Sequence, residues 1–296
     1  MQEELKTTDS TAPAADSLPL VAPARQLSFS APWRWLSLAL QDFRRAPALS
    51  LLWGLIITGI SLVVSLLAYQ LGRFALLAVL LSGFVYVAPL LGVGLYAVSR
   101  ALARQESPHF GLSFAAIERV LGQSAIFAIC STIVVLVWSR TGMMVTAFFP
   151  ATELEQREFF LAFMQGEIHM DGAGSRFLHF LMLGSALGSI FALLCFAMTA
   201  VSLPMLVDKK VDMITALLSS INAVLRNKLV MLQWAAIIVV LIGLGVATAY
   251  LGFIVIMPLL AYGAWHAYQE ALDTSAWPAV DLNPPKPAVT GFLRGE

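Results

Sequence analysis

Charge is scarce in this chain. Only 12% of its 296 residues are Asp, Glu, Lys or Arg, while 59% are hydrophobic. Soluble domains carry about 25% charged residues, so the soluble globular class is excluded. Cysteine is nearly absent too. Cys130 and Cys195 are the two present, and no Cys-x-x-Cys pair occurs. That excludes a disulfide framework and a thiol metal site, and leaves both thiols as small packing residues. Histidine numbers four. The P-loop, Rossmann and Ser-His-Asp patterns are missing, so no catalytic residue and no cofactor is expected. Net charge is zero, which gives no reason to expect nucleic acid as a partner. Residues 1–30 offer no basic stretch followed by an apolar one, so no cleaved secretory signal is expected.

What the chain does have is long runs without charge. Arg45 to Arg73 encloses 27 such residues, Arg73 to Arg100 26, Arg119 to Arg140 20, Arg176 to Asp208 31, and Lys228 to Glu270 41. A bilayer core about 30 Å thick takes roughly 20 apolar residues of helix. The first four runs predict spans over 47–69, 74–99, 121–144 and 177–207. The fifth, as one helix, would reach about 60 Å and must fold back. The turn is expected at Ala249-Tyr250-Leu251-Gly252, where Gly252 tolerates unusual backbone angles. The expected fold is therefore all-α: a polytopic transmembrane bundle of six helices in three hairpins over 31–272.

Three further stripes at helical spacing predict amphipathic helices in the cytoplasmic interface. They are Trp33, Leu36, Leu40 and Phe43; then Phe114, Ile117 and Leu121; then Val211, Ile214, Leu218, Ile221 and Leu225. Packing of these stripes on the end of the bundle is the competing reading. The tails, 1–30 and 273–296, lack periodicity and are expected to be disordered. A loop over 145–175 joins the middle hairpin. Its acidic part, 152–166, is the expected docking surface for a membrane-protein partner. The lipid bilayer is the other expected partner. Oligomeric state is left open.

Orientation follows from Lys and Arg near span ends. With the N-terminus in the cytoplasm, ten lie on that side: Arg34, Arg44, Arg45, Arg100, Arg104, Arg119, Lys209, Lys210, Arg226 and Lys228. Four lie outside: Arg73, Arg140, Arg157 and Arg176. Both termini are thus expected in the cytoplasm.

Ionisable groups within or beside spans are the natural site candidates. Arg140 ends span 3, where it anchors to headgroups, pairs with the acidic loop or contacts a substrate. Glu167-x-His169-x-Asp171, with His179 nearby, resembles a ligand cluster, yet zinc sites space His and Cys more tightly, and no metal is expected. His266 ends span 6, where interfacial anchoring is the ordinary role. Pro89, Pro204 and Pro258 each free a carbonyl four residues earlier, at Val85, Ala200 and Ile254. Such breaks form transporter sites or simple kinks. Spans 2 and 6 share P-L-L-x-x-G, at Pro89–Gly94 and Pro258–Gly263, a hint of duplicated hairpins. Gly184 with Gly188 makes a small-xxx-small pair.

Several of these stretches recur in one family. Asp42-Phe43 followed by Pro47, Val87-Ala88-Pro89-Leu90-Leu91 with Gly94-Leu95-Tyr96, Ser202-Leu203-Pro204 with Val211-Asp212, and Trp265-His266-Ala267-Tyr268 resemble an uncharacterised family of predicted bacterial integral membrane proteins. Some members carry the label putative cytochrome c oxidase subunit. The resemblance runs from about Trp33 to Ala271 and implies the bacterial inner membrane. Oxidase catalysis sits poorly with four histidines, since one low-spin haem alone needs two axial ligands at one depth. The expected function is a non-enzymatic scaffold, assembly or envelope accessory component. A small-solute transporter or channel is the alternative, and a haem or metal redox subunit the second.

Overall fold

The computed structural model describes residues 18–70, 91–148, 161 and 173–282. Among these, nine helices form: α1 (Ala31–Arg45), α2 (Pro47–Gln70), α3 (Val93–Ala103), α4 (Phe110–Phe148), α5 (Ala173–Thr199), α6 (Ser202–Asp208), α7 (Met213–Arg226), α8 (Lys228–Ala247) and α9 (Phe253–Ala271). Extended pairing is confined, among the described residues, to two isolated bridges. The all-α class is as expected. Three stretches are long and apolar enough to cross a bilayer: Pro47–Leu67, Leu178–Asp208 and Lys228–Ala247. Pro89, and with it most of the expected second span, lies outside the described residues.

Helix α9 is the spine. It packs most extensively against α1 and α2, which run past it one after the other. Pro258 has no N–H to offer, so the Ile254 carbonyl loses its partner within α9. Gly54 of α2 lies against that carbonyl. A Cβ at position 54 would overlap the Ile254 oxygen and sit 2.7 Å from its carbonyl carbon. Glycine is required there by space. Ser50 bonds Tyr262 of α9 at 2.7 Å, and Ser65 donates at 2.9 Å to Tyr250 in the turn before α9. Such interhelical bonds are what a membrane bundle uses in place of a hydrophobic driving force.

The P-L-L-x-x-G repeat has a structural counterpart. The ring of Trp53, on α2, fills the place of a Cβ at Gly94, and that of Trp234, on α8, does so at Gly263. Each tryptophan is the seventh residue of its helix, and each glycine closes the shared motif. The pair Gly184 and Gly188 behaves differently. A Cβ at Gly188 would lie 3.0 Å from the Trp138 ring of α4, whereas one at Gly184 would meet nothing within 4 Å.

Three local expectations need correction. The turn between α8 and α9 is where it was expected, but the left-handed residues are Ala249 (φ 50°) and Tyr250 (φ 68°). Gly252 has a helical φ of −59°. Its role is room, since a Cβ there would lie 2.6 Å from Thr248 Oγ1. The first connector is no separate helix, because Phe110–Phe148 is continuous over 39 residues, about 58 Å long. The fourth span divides at Ala200–Val201. Pro204 then falls in the first turn of α6, where a missing N–H costs nothing, and the Val201 amide is taken up by Ser220 Oγ at 3.2 Å.

Helices α1 and α7 turn small and polar residues inward. Many of their buried residues are small or polar: Ala31, Ala39 and Asp42, beside Trp35, on α1; Thr215, Ala216, Ser219, Ser220 and Ala223, beside Met213 and Leu217, on α7. Much of the apolar stripe read from the sequence points outward, with Trp33, Leu40, Ile214, Leu218 and Leu225 exposed.

Disorder is wrong for the described parts of the tails. Asn222 and Asn227 donate to the carbonyls of Ala22 and Arg25, and Ser219 Oγ accepts from Ala22 N–H at 2.8 Å. Ala24 bridges Leu272, and Lys209 bridges Ala279. Trp277, Val280 and Leu282 are buried. Residues 18–30 and 273–282 thus lie across one end of the bundle, the end formed by α1, α6 and α7. We call it the basal end.

Candidate functional site

The densest polar cluster among the described residues is at the basal end, and two buried carboxylates centre it. Asp42 reaches the core because it continues the small-residue face of α1, three residues after Ala39. It accepts a hydrogen bond from Ser99 Oγ on α3, and His266 Nε2 on α9 lies 2.8 Å away. Asp208, the last residue of α6, accepts from Arg100 Nε at 3.0 Å, Arg104 Nη2 at 3.1 Å and Tyr268 OH at 2.9 Å. Neighbouring residues on two helices therefore serve both acids: Ser99 and Arg100 on α3, His266 and Tyr268 on α9.

Arg100 is 3% exposed. Burial draws its guanidinium below the ordinary value, and the Asp208 bond opposes that. An arginine stays charged regardless, so the carboxylate is its obligatory counterion. Its second arm donates to the Val280 carbonyl, and Val280 N–H donates to Asp208 O at 2.8 Å. The C-terminal segment is thereby bound to the same group. Arg119, drawn down by burial and by the nearby Arg100, donates to the carbonyls of Leu206 and Lys209, each at 3.2 Å. Those carbonyls belong to the last turn and end of α6. Glu270 takes the Trp35 indole at 2.8 Å and pairs with Arg34. Asp212 caps α7 by accepting from Thr215 N–H at 3.0 Å and Thr215 Oγ1 at 2.7 Å.

This arrangement spends its polar groups on one another. Each buried acid has two or more donors, which is what makes buried charge tolerable. The cluster fastens α1, α3, α6, α9 and the C-terminal segment into one plate. His266 belongs to it, as the partner of Asp42 rather than a headgroup anchor. Pro258 shapes the α2–α9 contact, and Pro204 starts α6. Arg140 on α4 and His179 on α5 are exposed and lie apart from the plate in sequence and element. Glu167, His169, Asp171 and Pro89 lie outside the described residues, as does the partner surface 152–166 apart from Leu161.

Sequence reasoning passed over Asp42, Ser99, Asp208, Tyr268 and Glu270 as site residues and counted Arg100 for orientation alone. One signal was present: Ala31, Trp35, Ala39 and Asp42 recur at helical spacing, placing a carboxylate on a stripe of small residues. Gln233 on α8 meets the start of α1, with its amide oriented to suit both partners. It donates to Phe29 O at 2.9 Å and accepts from the Trp33 indole at 3.0 Å.

Comparison with known proteins bears on the same region. Residues 76–208 match the family described as predicted integral membrane protein (DUF2189). The matched stretch closes on Asp208 and contains Ser99, Arg100, Arg104 and Arg119. The resemblance to an uncharacterised family of integral membrane proteins is thus upheld, and the chain is an integral membrane protein. The family description assigns no activity. No curated protein and no solved structure matches.

Proposed function

We propose that this is a six-span, non-catalytic scaffold or assembly component of the bacterial cytoplasmic membrane, with the basal plate and both termini in the cytoplasm. The observation that carries the reading is the plate itself. Its buried charges are paired internally, and its two terminal segments are laced to it by backbone bonds. Some polar groups of the described spans are likewise engaged within the body. Ser50 meets Tyr262, Ser65 meets Tyr250, and the Ile254 carbonyl freed by Pro258 is covered by Gly54. A rigid body of this kind suits the holding of other proteins, and the acidic segment 152–166 is the surface for them on the opposite side. The basic residues of the plate fit the positive-inside pattern.

Two measurements test this. Reporter fusions after Gly166 and after Lys210 should read periplasmic and cytoplasmic; the opposite pattern overturns the topology. Single cysteines placed at Ser50, Thr58 and Tyr262 in intact cells should resist a water-soluble maleimide. Labelling at all three would show an aqueous path through the bundle and favour a transporter.

A further inference from the structure

Two helices at the basal end share one design. Each packs several small residues inward, shows apolar residues outward, ends in basic residues and then leads directly into a span. In α1 the outward residues include Trp33 at 60% and Leu40 at 39% exposure, followed by Arg44 and Arg45. In α7 they include Ile214 at 47% and Leu225 at 57%, followed by Arg226 and Lys228. The spans that follow are apolar on the outside as well. Leu51, Leu52 and Leu55 on α2, and Leu229 and Leu232 on α8, are exposed. The stripes therefore continue the lipid-facing surface of the spans.

Charge separates these cations from others in the plate. Arg34, Arg100 and Arg104 pair with carboxylates. Arg44, Arg45, Arg226 and Lys228 are exposed and make no ion pair among the described residues. Neither α1 nor α7 has an acidic residue in its first turn. On α1, the one acid is Asp42, which points inward. Four unneutralised cations thus stand where an apolar helix meets the start of a span. That is the depth of phospholipid phosphates, and an acidic surface attracts such residues.

We propose that α1 and α7 lie in the cytoplasmic leaflet and hold acidic glycerophospholipids, with Arg44, Arg45, Arg226 and Lys228 binding the phosphates and the outward stripes seated among the acyl chains. The proposal rests on the membrane orientation given above and adds a lipid class to it. It also assigns a role to residues whose apolar exposure serves no packing inside the protein.

The test uses the full chain, purified in mild detergent with equal amounts of phosphatidylglycerol and phosphatidylcholine, and native mass spectrometry to count retained lipid. Wild type should keep phosphatidylglycerol several-fold over phosphatidylcholine. The variant Arg44→Gln/Arg45→Gln/Arg226→Gln/Lys228→Gln should lose that preference. Arg44→Lys/Arg45→Lys/Arg226→Lys should keep it, since charge is what counts. Equal retention of the two lipids by wild type, or an unchanged preference in the glutamine variant, overturns the proposal. Reporter fusions after Lys210 are read on wild type and variants in parallel. A cytoplasmic reading with no lipid preference refutes the lipid site alone, whereas a periplasmic reading in wild type refutes the topology beneath it.

Discussion

Alanine at position 54 is a direct probe of how α2 and α9 meet. A methyl group there would overlap the Ile254 oxygen and lie 2.7 Å from Ile254 C and 2.9 Å from its Cα. All three atoms are backbone, so no rotamer change relieves the clash. Reaching ordinary contact, which begins at 3.4 Å, requires the two helices to separate by more than 0.7 Å, because the oxygen lies closer than the carbon. Overpacking of this kind costs about 1–3 kcal/mol, and separation would also lengthen the Ser50–Tyr262 bond. Gly59 is the matched control. It lies five residues on in the same helix with nothing within 4 Å. Gly59→Ala should therefore show the helix-propensity gain of about 1 kcal/mol alone. The two variants should differ by about 2–4 kcal/mol, with opposite signs relative to wild type. Heating in detergent with a thiol-reactive fluorophore gives the readout, because Cys195 is buried and reacts on unfolding. At about 2–4 °C per kcal/mol, the midpoints should lie roughly 5–15 °C apart at a fixed heating rate. Equal midpoints for Gly54→Ala and Gly59→Ala would refute the close approach of the two helices.

Two further changes probe the plate. Asp208→Asn removes the counterion of buried Arg100 and should cost about 3–5 kcal/mol, read as a large fall in the same thermal midpoint. A change no greater than that of an exposed substitution such as Glu118→Gln would show that the pair is dispensable. Asp212→Ala removes the cap of α7 and should cost about 1 kcal/mol at neutral pH. Burial pushes the Asp212 carboxyl up, but the Thr215 hydroxyl and backbone amides outweigh it, and its folded value lies below the usual one. Its contribution is therefore full above about pH 4, the ordinary aspartate value, and is lost as pH falls through the depressed one. The gap between wild type and Asp212→Ala should hold at neutral pH and close in acid. A gap that widened in acid would contradict the capping role.

The helices were legible because lipid imposes length and apolarity on every span. Charge-free runs located α2, α8 and the α5–α6 stretch, and arithmetic on the fifth run found the turn after Ala247. Contacts between helices left weaker marks. Gly54 carries no flanking motif, since its partner is a carbonyl exposed by a proline about two hundred residues away in the chain. For α1 and α7 the sequence left two readings of the apolar stripe, facing lipid or packing on the end of the bundle. Apolar periodicity marks the side turned to the less polar medium. At a membrane surface that medium is the lipid rather than the protein, so the small-residue stripe with Asp42 was the one facing inward. The tails were misjudged because their fastening is mainly backbone bonding, which composition does not record.

The lacing of residues 22–27 to the far end of the sequence sets a schedule for assembly. The partners of Ala22 and Arg25 lie 197 and 202 residues downstream. At about 5–20 residues per second of synthesis, the amino-terminal strap waits roughly 10–40 s before Ser219 and Asn227 exist. Until then Asp42 has neither His266 nor the rest of its enclosure. The plate is thus a late event in biogenesis, completed after α9 is made. A chain halted before α9 would hold inserted helices but an unsealed, charged underside, the kind of surface that membrane quality-control proteases engage.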